Sequence, residues 1–223
     1  MIRIHSIFES ISGEAGFFLQ GSWCTFIRLQ GCNLRCRWCD TKQAQKSEGG
    51  KLYEIEDVVN QCKTEQVLIT GGEPLLQSNE VMKLTGQLIT AGHDVQIETN
   101  GSFPIPEEFV DDPVYWVVDY KCPSSGVTRD MPEPATFAKG LDTGKNNSIV
   151  KFVVANEVDT YFALAVIKQM EEEVGYFNTV IISPLDAEGV LLPRIIKIIK
   201  EVDKGYLNRI IFSIQIHKIT NQP

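Results

Sequence analysis

The sequence has no apolar run approaching the ~18 residues that a membrane helix needs. Its first residues, MIRIHSIFESISG, lack the basic region and apolar stretch of a secretory signal. Basic charge is scarce: 21 Lys and Arg stand against 29 Asp and Glu, a net −8, which argues against a nucleic-acid-coating surface. Histidines number three, and there is no internal repeat, low-complexity tract or clear linker. These absences lead us to expect a cytoplasmic, soluble protein with no nucleic-acid or membrane partner. With 223 residues, 43% of them hydrophobic, the chain reads as a single domain spanning 1–223.

Short apolar runs alternate with segments of helical periodicity. Strands are expected at 23–29, 66–70, 94–100, 114–120, 148–154, 178–184 and 209–215, bounded by Gly, Pro or Asn. Several are almost continuously apolar, as in parallel strands buried on both faces. Helical spacing appears over 53–62, 76–92, 159–174 and 189–205. This alternation predicts an α/β fold, a partial (β/α) barrel of mainly parallel strands, with ligands at the C-terminal strand ends. The stretch from about 122 to 147, rich in Pro, Gly and polar residues, reads as a long surface loop with some helix, placed to cover the site.

Six cysteines are present, and three of them fall within GCNLRCRWC at 31–39. Cys32, Cys36 and Cys39 are separated by three and then two residues, and Gly31 permits a tight turn directly after the first expected strand. Clustered thiols in a reducing compartment bind metal or do redox chemistry more often than they form disulfides. Three thiolates on a four-iron cluster leave one iron open to a ligand. A structural zinc site wants a fourth closed ligand, and neither Cys62, on a helix-like segment, nor Cys122, at a loop start, comes paired with another donor. Buried free thiols are the remaining reading; Cys24 and Cys62 fit it. A second element, VLITGGEPLL at 67–76, runs a strand into a Gly-Gly turn and a Pro that suits a helix start.

With Trp38 as the aromatic before the last thiol, this sequence resembles the radical S-adenosylmethionine (SAM) superfamily. The resemblance implies a 4Fe-4S cluster on Cys32, Cys36 and Cys39 and SAM on the open iron. The GGEP turn then contacts the methionyl ammonium, with Gly72 and Glu73 as candidates and Thr70 reaching the substrate pocket. Within the superfamily, IFESISGE (7–14), FIRLQGCNLRCRWCDT (26–41) and SIQIHK (213–218) resemble the 7-carboxy-7-deazaguanine synthases of queuosine and other 7-deazapurine biosynthesis. ETNG (98–101) and DYKCPSSG (119–126) agree more weakly. The implied reaction is a carbon–nitrogen lyase step that turns 6-carboxy-5,6,7,8-tetrahydropterin into 7-carboxy-7-deazaguanine with loss of ammonia.

The same resemblance implies a set of site residues. Ile11, Ser12, Gly13, Glu14, Arg28, Thr70, His217 and Pro223 are expected at the substrate. Arg28 suits its carboxylate, and Glu14 suits its guanidine-like edge. Read without the family, Arg28 is a salt-bridge partner, Glu14 a surface carboxylate and His217 a satisfied core histidine. Ser12 departs from the family's usual Gln. Trp38, Asp40, Asp119, Tyr120, Lys121, Ser183, Pro184 and Asp186 are expected around SAM. Thr41 is expected to ligate magnesium, where residues alone suggest an Asx-type turn or cap with Asp40. A flavodoxin or ferredoxin electron donor and a homodimer are further implications, and no residue-borne general base is evident. A glycyl-radical activase shares the cysteine spacing, and a non-catalytic electron carrier or zinc module is the third reading.

Overall fold

The computed structural model describes residues 1–109, 113–141, 147–175, 179–186 and 189–220. Among these residues nine strands form one sheet: β1 (Ile2–Ile11), β2 (Trp23–Leu29), β3 (Lys51–Tyr53), β4 (Gln66–Gly71), β5 (Asp94–Thr99), β6 (Val114–Asp119), β7 (Ser148–Val154), β8 (Val180–Pro184) and β9 (Ile210–Phe212). Their order is β3-β1-β2-β4-β5-β6-β7-β8-β9. From β2 through β4 to β9 every pairing is parallel, whereas β1 lies antiparallel between β2 and β3. The sheet is open, with β3 and β9 at its edges. The expected mainly parallel α/β architecture is therefore observed.

The seven expected strands are present, 209–215 in shortened form: β9 ends at Phe212, and the chain turns through 213–215 into the short helix Ile216–Ile219. Two strands were not expected. β1 was hidden because IRIHSIFESI carries polar residues at every second or third place, as suits a strand near an edge with a half-exposed face. β3 is three residues long and carries no periodicity.

Helices α1 (Ile55–Val59), α2 (Ser78–Thr90), α3 (Pro134–Leu141), α4 (Glu157–Val174), α5 (Leu192–Asp203) and α6 (Ile216–Ile219) follow the strands. Val81, Leu84, Thr85 and Leu88 bury one stripe of α2 at helical spacing. The Asn156 side chain accepts from Asp159 N and starts α4. These stripes join one strand face, including Ile27, Ile69, Ile97, Val118, Phe152 and Ile182, in the main core. Strand spacing steps onward in one direction, so right-handed crossovers leave the helices on that side.

The other face alternates with the first. Its N-terminal half is apolar and covered by the segment 12–22: Ala15 packs on Val117, Ile149 and Ile181, and Phe18 on Cys24, Phe26 and Leu68. Gln96 Oε1 pins this segment by accepting from Phe17 N (2.9 Å) and Phe18 N (3.1 Å). The C-terminal half, left uncovered by the plug, carries Arg28, Thr70, Glu98, Asp119 and Lys151, which open onto a cavity.

The loop expected over the site lies mostly elsewhere. Phe137, Ala138 and Leu141 of α3 enter the core on the helix side. Its first turn does reach the cysteine segment, where Arg37 N donates to Ser125 O at 2.9 Å.

Candidate active site

The cavity has a volume of about 530 Å³. Cys32, Cys36 and Cys39 all line it, and all are free thiols. Their loop is held from both sides. Gly31 N and Cys32 N donate to Ala44 O (2.7 Å) and Gln45 O (3.1 Å), while Gly31 O accepts from Glu73 N (2.7 Å). A Cβ on Gly72 would meet Gly31 O at 1.8 Å, and one on Gly71, whose φ is +127°, would meet Leu29 N at 2.2 Å. The two glycines thus let the β4 turn lie against the cysteine loop; Gly71 and Gly72 also line the cavity.

Among the described residues, no three His, Cys, Asp or Glu side chains gather closely enough to hold one metal ion. Three free thiols on one cavity match the three protein ligands of a four-iron cluster that keeps one iron open. Arg28 Nε and Trp38 Nε1, on two residues that line the same cavity, are buried without a hydrogen-bond partner among the described residues. The remaining cysteines, Cys24, Cys62 and Cys122, are buried and do not line the cavity, which suits packing thiols. Burial pushes Cys24 up to about 12 and Cys62 up to about 11 and raises Cys122, as it also raises Cys32 and Cys36.

Of the residues expected around SAM, Trp38, Asp40, Gly72, Asp119 and Lys121 line the cavity. Lys121 Nζ lies 5.6 Å from the Trp38 ring centroid and is paired with the Asp119 carboxylate. Burial opposes its charge, but Asp119 and Cys36 outweigh burial and raise its pKa. Glu73 and Tyr120 point away. Glu73 is fully buried, its carboxylate accepting from Leu75 N (2.8 Å), Thr99 Oγ1 (2.7 Å) and Asn100 N (2.7 Å). Strand alternation turns Tyr120 to the helix side, where it packs on Phe137 and Phe152 and donates to Pro132 O (2.8 Å). Ser183 is buried with an unpartnered hydroxyl; Asp186 Oδ2 accepts from Leu191 N (3.4 Å) in the turn after Pro184. These three do not line the cavity, although Leu185 between them does.

On the substrate side, Ile11, Ser12, Gly13, Glu14, Arg28, Thr70 and His217 all line the cavity. Pro223 lies outside the described residues. Arg28 and Thr70 are direct partners across β2 and β4. The Arg28 guanidinium sits 5.1 Å over the Phe8 ring, and burial lowers its pKa despite nearby Asp40 and Glu98. The two ends of the chain meet here. Ile216 N donates to Gly13 O (3.0 Å), and a Cβ on Gly13 would meet His217 Nδ1 at 2.0 Å. Lys218 Nζ reaches to 3.9 Å from Asp40 Oδ2, tying the tail to the residue after Cys39. Ser12 Oγ donates back to Glu14 O (3.2 Å). Thr41 Oγ1 lies 3.6 Å from Cys39 Sγ and lines the cavity, making no side-chain cap to the turn that follows it.

A model of the radical SAM superfamily matches residues 26–112. A 7-carboxy-7-deazaguanine synthase of Koribacter versatilis is 36% identical over 197 residues, 84% of this chain and 81% of that one. The synthase of Hyperthermus butylicus is 30% identical over 233 residues, 100% of this chain and 94% of its own. The chain belongs to the 7-carboxy-7-deazaguanine synthase family. A crystal structure of QueE from Escherichia coli shares the fold, with a TM-score of 0.62 at 20% identity over 96% of this chain and 93% of that one.

Glu98, Asn100, Lys151 and Gln215 are among the cavity residues of this synthase to which the sequence alone assigned no role. Lys151 Nζ lies 2.8 Å from Glu14 Oε2 and 3.4 Å from Asp119 Oδ1. Burial opposes its charge, yet Asp119, Glu14 and Glu98 raise its pKa well above the ordinary value. Gln215 Nε2 donates to Glu14 Oε1 at 2.6 Å. Although burial works against its ionisation, Lys151 brings Glu14 down to about 2. Glu98 goes the other way: burial, reinforced by Glu14 and Asp119, overcomes Lys151 and lifts it to about 7. One signal for Lys151 was available, the lone charge inside the apolar strand SIVKFVV.

Proposed function

We infer that this chain is a radical SAM lyase that converts 6-carboxy-5,6,7,8-tetrahydropterin into 7-carboxy-7-deazaguanine with loss of ammonia, in queuosine and related 7-deazapurine biosynthesis. The observation that carries this reading is one cavity shared by three free thiols and an Arg28 guanidinium whose Nε has no partner, in a chain of this family. When bound, a reduced four-iron cluster would supply the electron that breaks the sulfonium bond of SAM, giving methionine and a 5′-deoxyadenosyl radical.

The chain's own groups divide the cavity between the two ligands. Cys32, Cys36 and Cys39 are the thiolate donors. The backbone at Gly72 meets the methionyl group, and Trp38, Asp119 and Lys121 flank the adenosyl side. Arg28 clamps the pterin carboxylate, and His217 lines the same cavity. Glu14 stays ionised because Lys151 and Gln215 hold it, so it accepts from the guanidine-like edge of the pterin. The plug over the lower half of the sheet face excludes water from beneath the site. Thr41 offers its hydroxyl to a magnesium ion whose other ligands are substrate and water. A flavodoxin or ferredoxin serves as reductant, and the working form is a cytoplasmic homodimer of single-domain chains.

Anaerobic incubation of reconstituted protein with reductant, SAM, magnesium and the carboxypterin tests this reading. Mass spectrometry is expected to detect the deazapurine acid. A protein that carries the cluster and cleaves SAM yet leaves the pterin untouched would refute the substrate assignment.

A further inference from the structure

The end of β5 delivers an amide to the cysteine loop. Asn100 is 8% exposed, and its Nδ2 lies 3.7 Å from Cys32 Sγ and 3.0 Å from Asn33 Oδ1. Which end of the amide faces the sulfur is decided by chemistry. Asn100 Oδ1 lies 2.9 Å from the backbone N–H of Ser102, a group that only donates. The oxygen is therefore fixed at Ser102, where it also accepts from Ser102 Oγ (2.7 Å), and the NH₂ end must face Cys32.

The backbone of Asn100 is fixed as well. Its N–H donates to Glu73 Oε2 at 2.7 Å, while Glu73 Oε1 takes the Thr99 hydroxyl and Leu75 N. Glu73 N in turn donates to Gly31 O, the residue before Cys32. Glu73 thus joins the Gly-Gly turn, the end of β5 and the cysteine loop into one unit, its carboxylate holding Asn100 and its N–H holding Gly31, and the Asn100 amide donates to both Asn33 Oδ1 and Cys32 Sγ.

We propose that Asn100 is a positioning residue that sets the reduction potential of the cluster through an N–H···S hydrogen bond to Cys32. The inference rests on the proposed cluster. A reduced cluster carries one more negative charge than the oxidised one, so a donor aimed at a ligating sulfur favours the reduced form and raises the potential. Burial strengthens that bond relative to a solvated one. In this role Asn100 acts through Cys32.

The test is a redox titration of the full-length, anaerobically reconstituted protein, following the reduced cluster by electron paramagnetic resonance. Asn100→Asp keeps the acceptor for Ser102 and removes the donor, and Asn100→Ser withdraws the amide from the sulfur. Both are expected to shift the one-electron equilibrium against reduction by about tenfold, or roughly 59 mV more negative. Ser102→Ala deletes a hydroxyl that bonds both Asn100 and Asn33 but keeps the amide, and is expected to hold the wild-type potential. Wild-type potentials in both Asn100 variants, or an equal shift in Ser102→Ala, would overturn the proposal. So would a failure of both Asn100 variants to assemble a cluster, which would make Asn100 a scaffold residue only. A wild-type protein without a cluster is a separate result and refutes the functional reading itself.

Discussion

Asp119 and Lys151 stand directly opposite one another on β6 and β7, with Asp119 Oδ1 3.4 Å from Lys151 Nζ at the floor of the cavity. Lys151 also holds Glu14, on the segment between β1 and β2, so one ammonium joins the sheet to the segment that forms the cavity wall. Side-chain exposures of 7%, 15% and 16% for Lys151, Glu14 and Asp119 put all three out of bulk water. Breaking such a group leaves buried charge uncompensated. Lys151→Met is expected to lower stability by about 3–5 kcal/mol. Urea unfolding measures it, and a loss below about 1 kcal/mol would contradict the arrangement.

Glu98 gives the protein a pH dependence of definite sign. Its carboxyl is raised from an ordinary 4.5 to about 7 by burial, so the folded state holds a proton that the unfolded chain releases earlier. Its contribution favours the fold below pH 4.5 and is lost as pH rises through 7. Glu14, lowered to about 2, contributes stability present above 4.5 and lost only in strong acid. Glu98→Gln is therefore expected to abolish a fall in stability between about pH 5 and about pH 8. Urea midpoints at the two pH values check this; an unchanged difference would remove Glu98 as its source.

Two glycines in the chain have opposite fates. Gly72→Ala places a methyl 1.8 Å from Gly31 O and is expected to cost at least about 3 kcal/mol. Gly86, within α2, has nothing within 4 Å of its missing Cβ, and Gly86→Ala is expected to stabilise by about 1 kcal/mol. Thermal melting of the two variants should move in opposite directions.

Arg28 is the cavity cation whose Nε is left without a partner. Arg28→Ala is expected to weaken carboxypterin binding about 10–100-fold, the loss of a charge-assisted bond of 1.5–3 kcal/mol. Iron content should stay at the wild-type value. Equilibrium binding of the pterin to the reconstituted variant measures the first, and unchanged affinity would take Arg28 out of the pocket.

Strong local signals made much of this molecule legible in its sequence. The apolar runs of the parallel strands and the Cys32, Cys36 and Cys39 spacing are local; the strands are observed, and the three thiols line one cavity. What stayed hidden depends on contacts between distant segments. The turn of Tyr120 into the core, away from the cavity, follows from alternation beside Asp119 along the strand. The role of Glu73 required knowing that Thr99 and Asn100 arrive beside it from β5. Gly71 and Gly72 admit the backbone of Leu29 and Gly31, close approaches that only the fold reveals. Gly13 is likewise explained only by His217, more than two hundred residues further on.

The central claim is that Cys32, Cys36 and Cys39 together hold a redox-active cluster, and metal and sulfide analysis of anaerobically purified protein tests it most directly. About four iron and four sulfide per chain are predicted, lost in Cys36→Ala and kept in Cys62→Ala, whose thiol is bonded to Val58 O within the core. Zinc without iron, or full iron retention in Cys36→Ala, would contradict it.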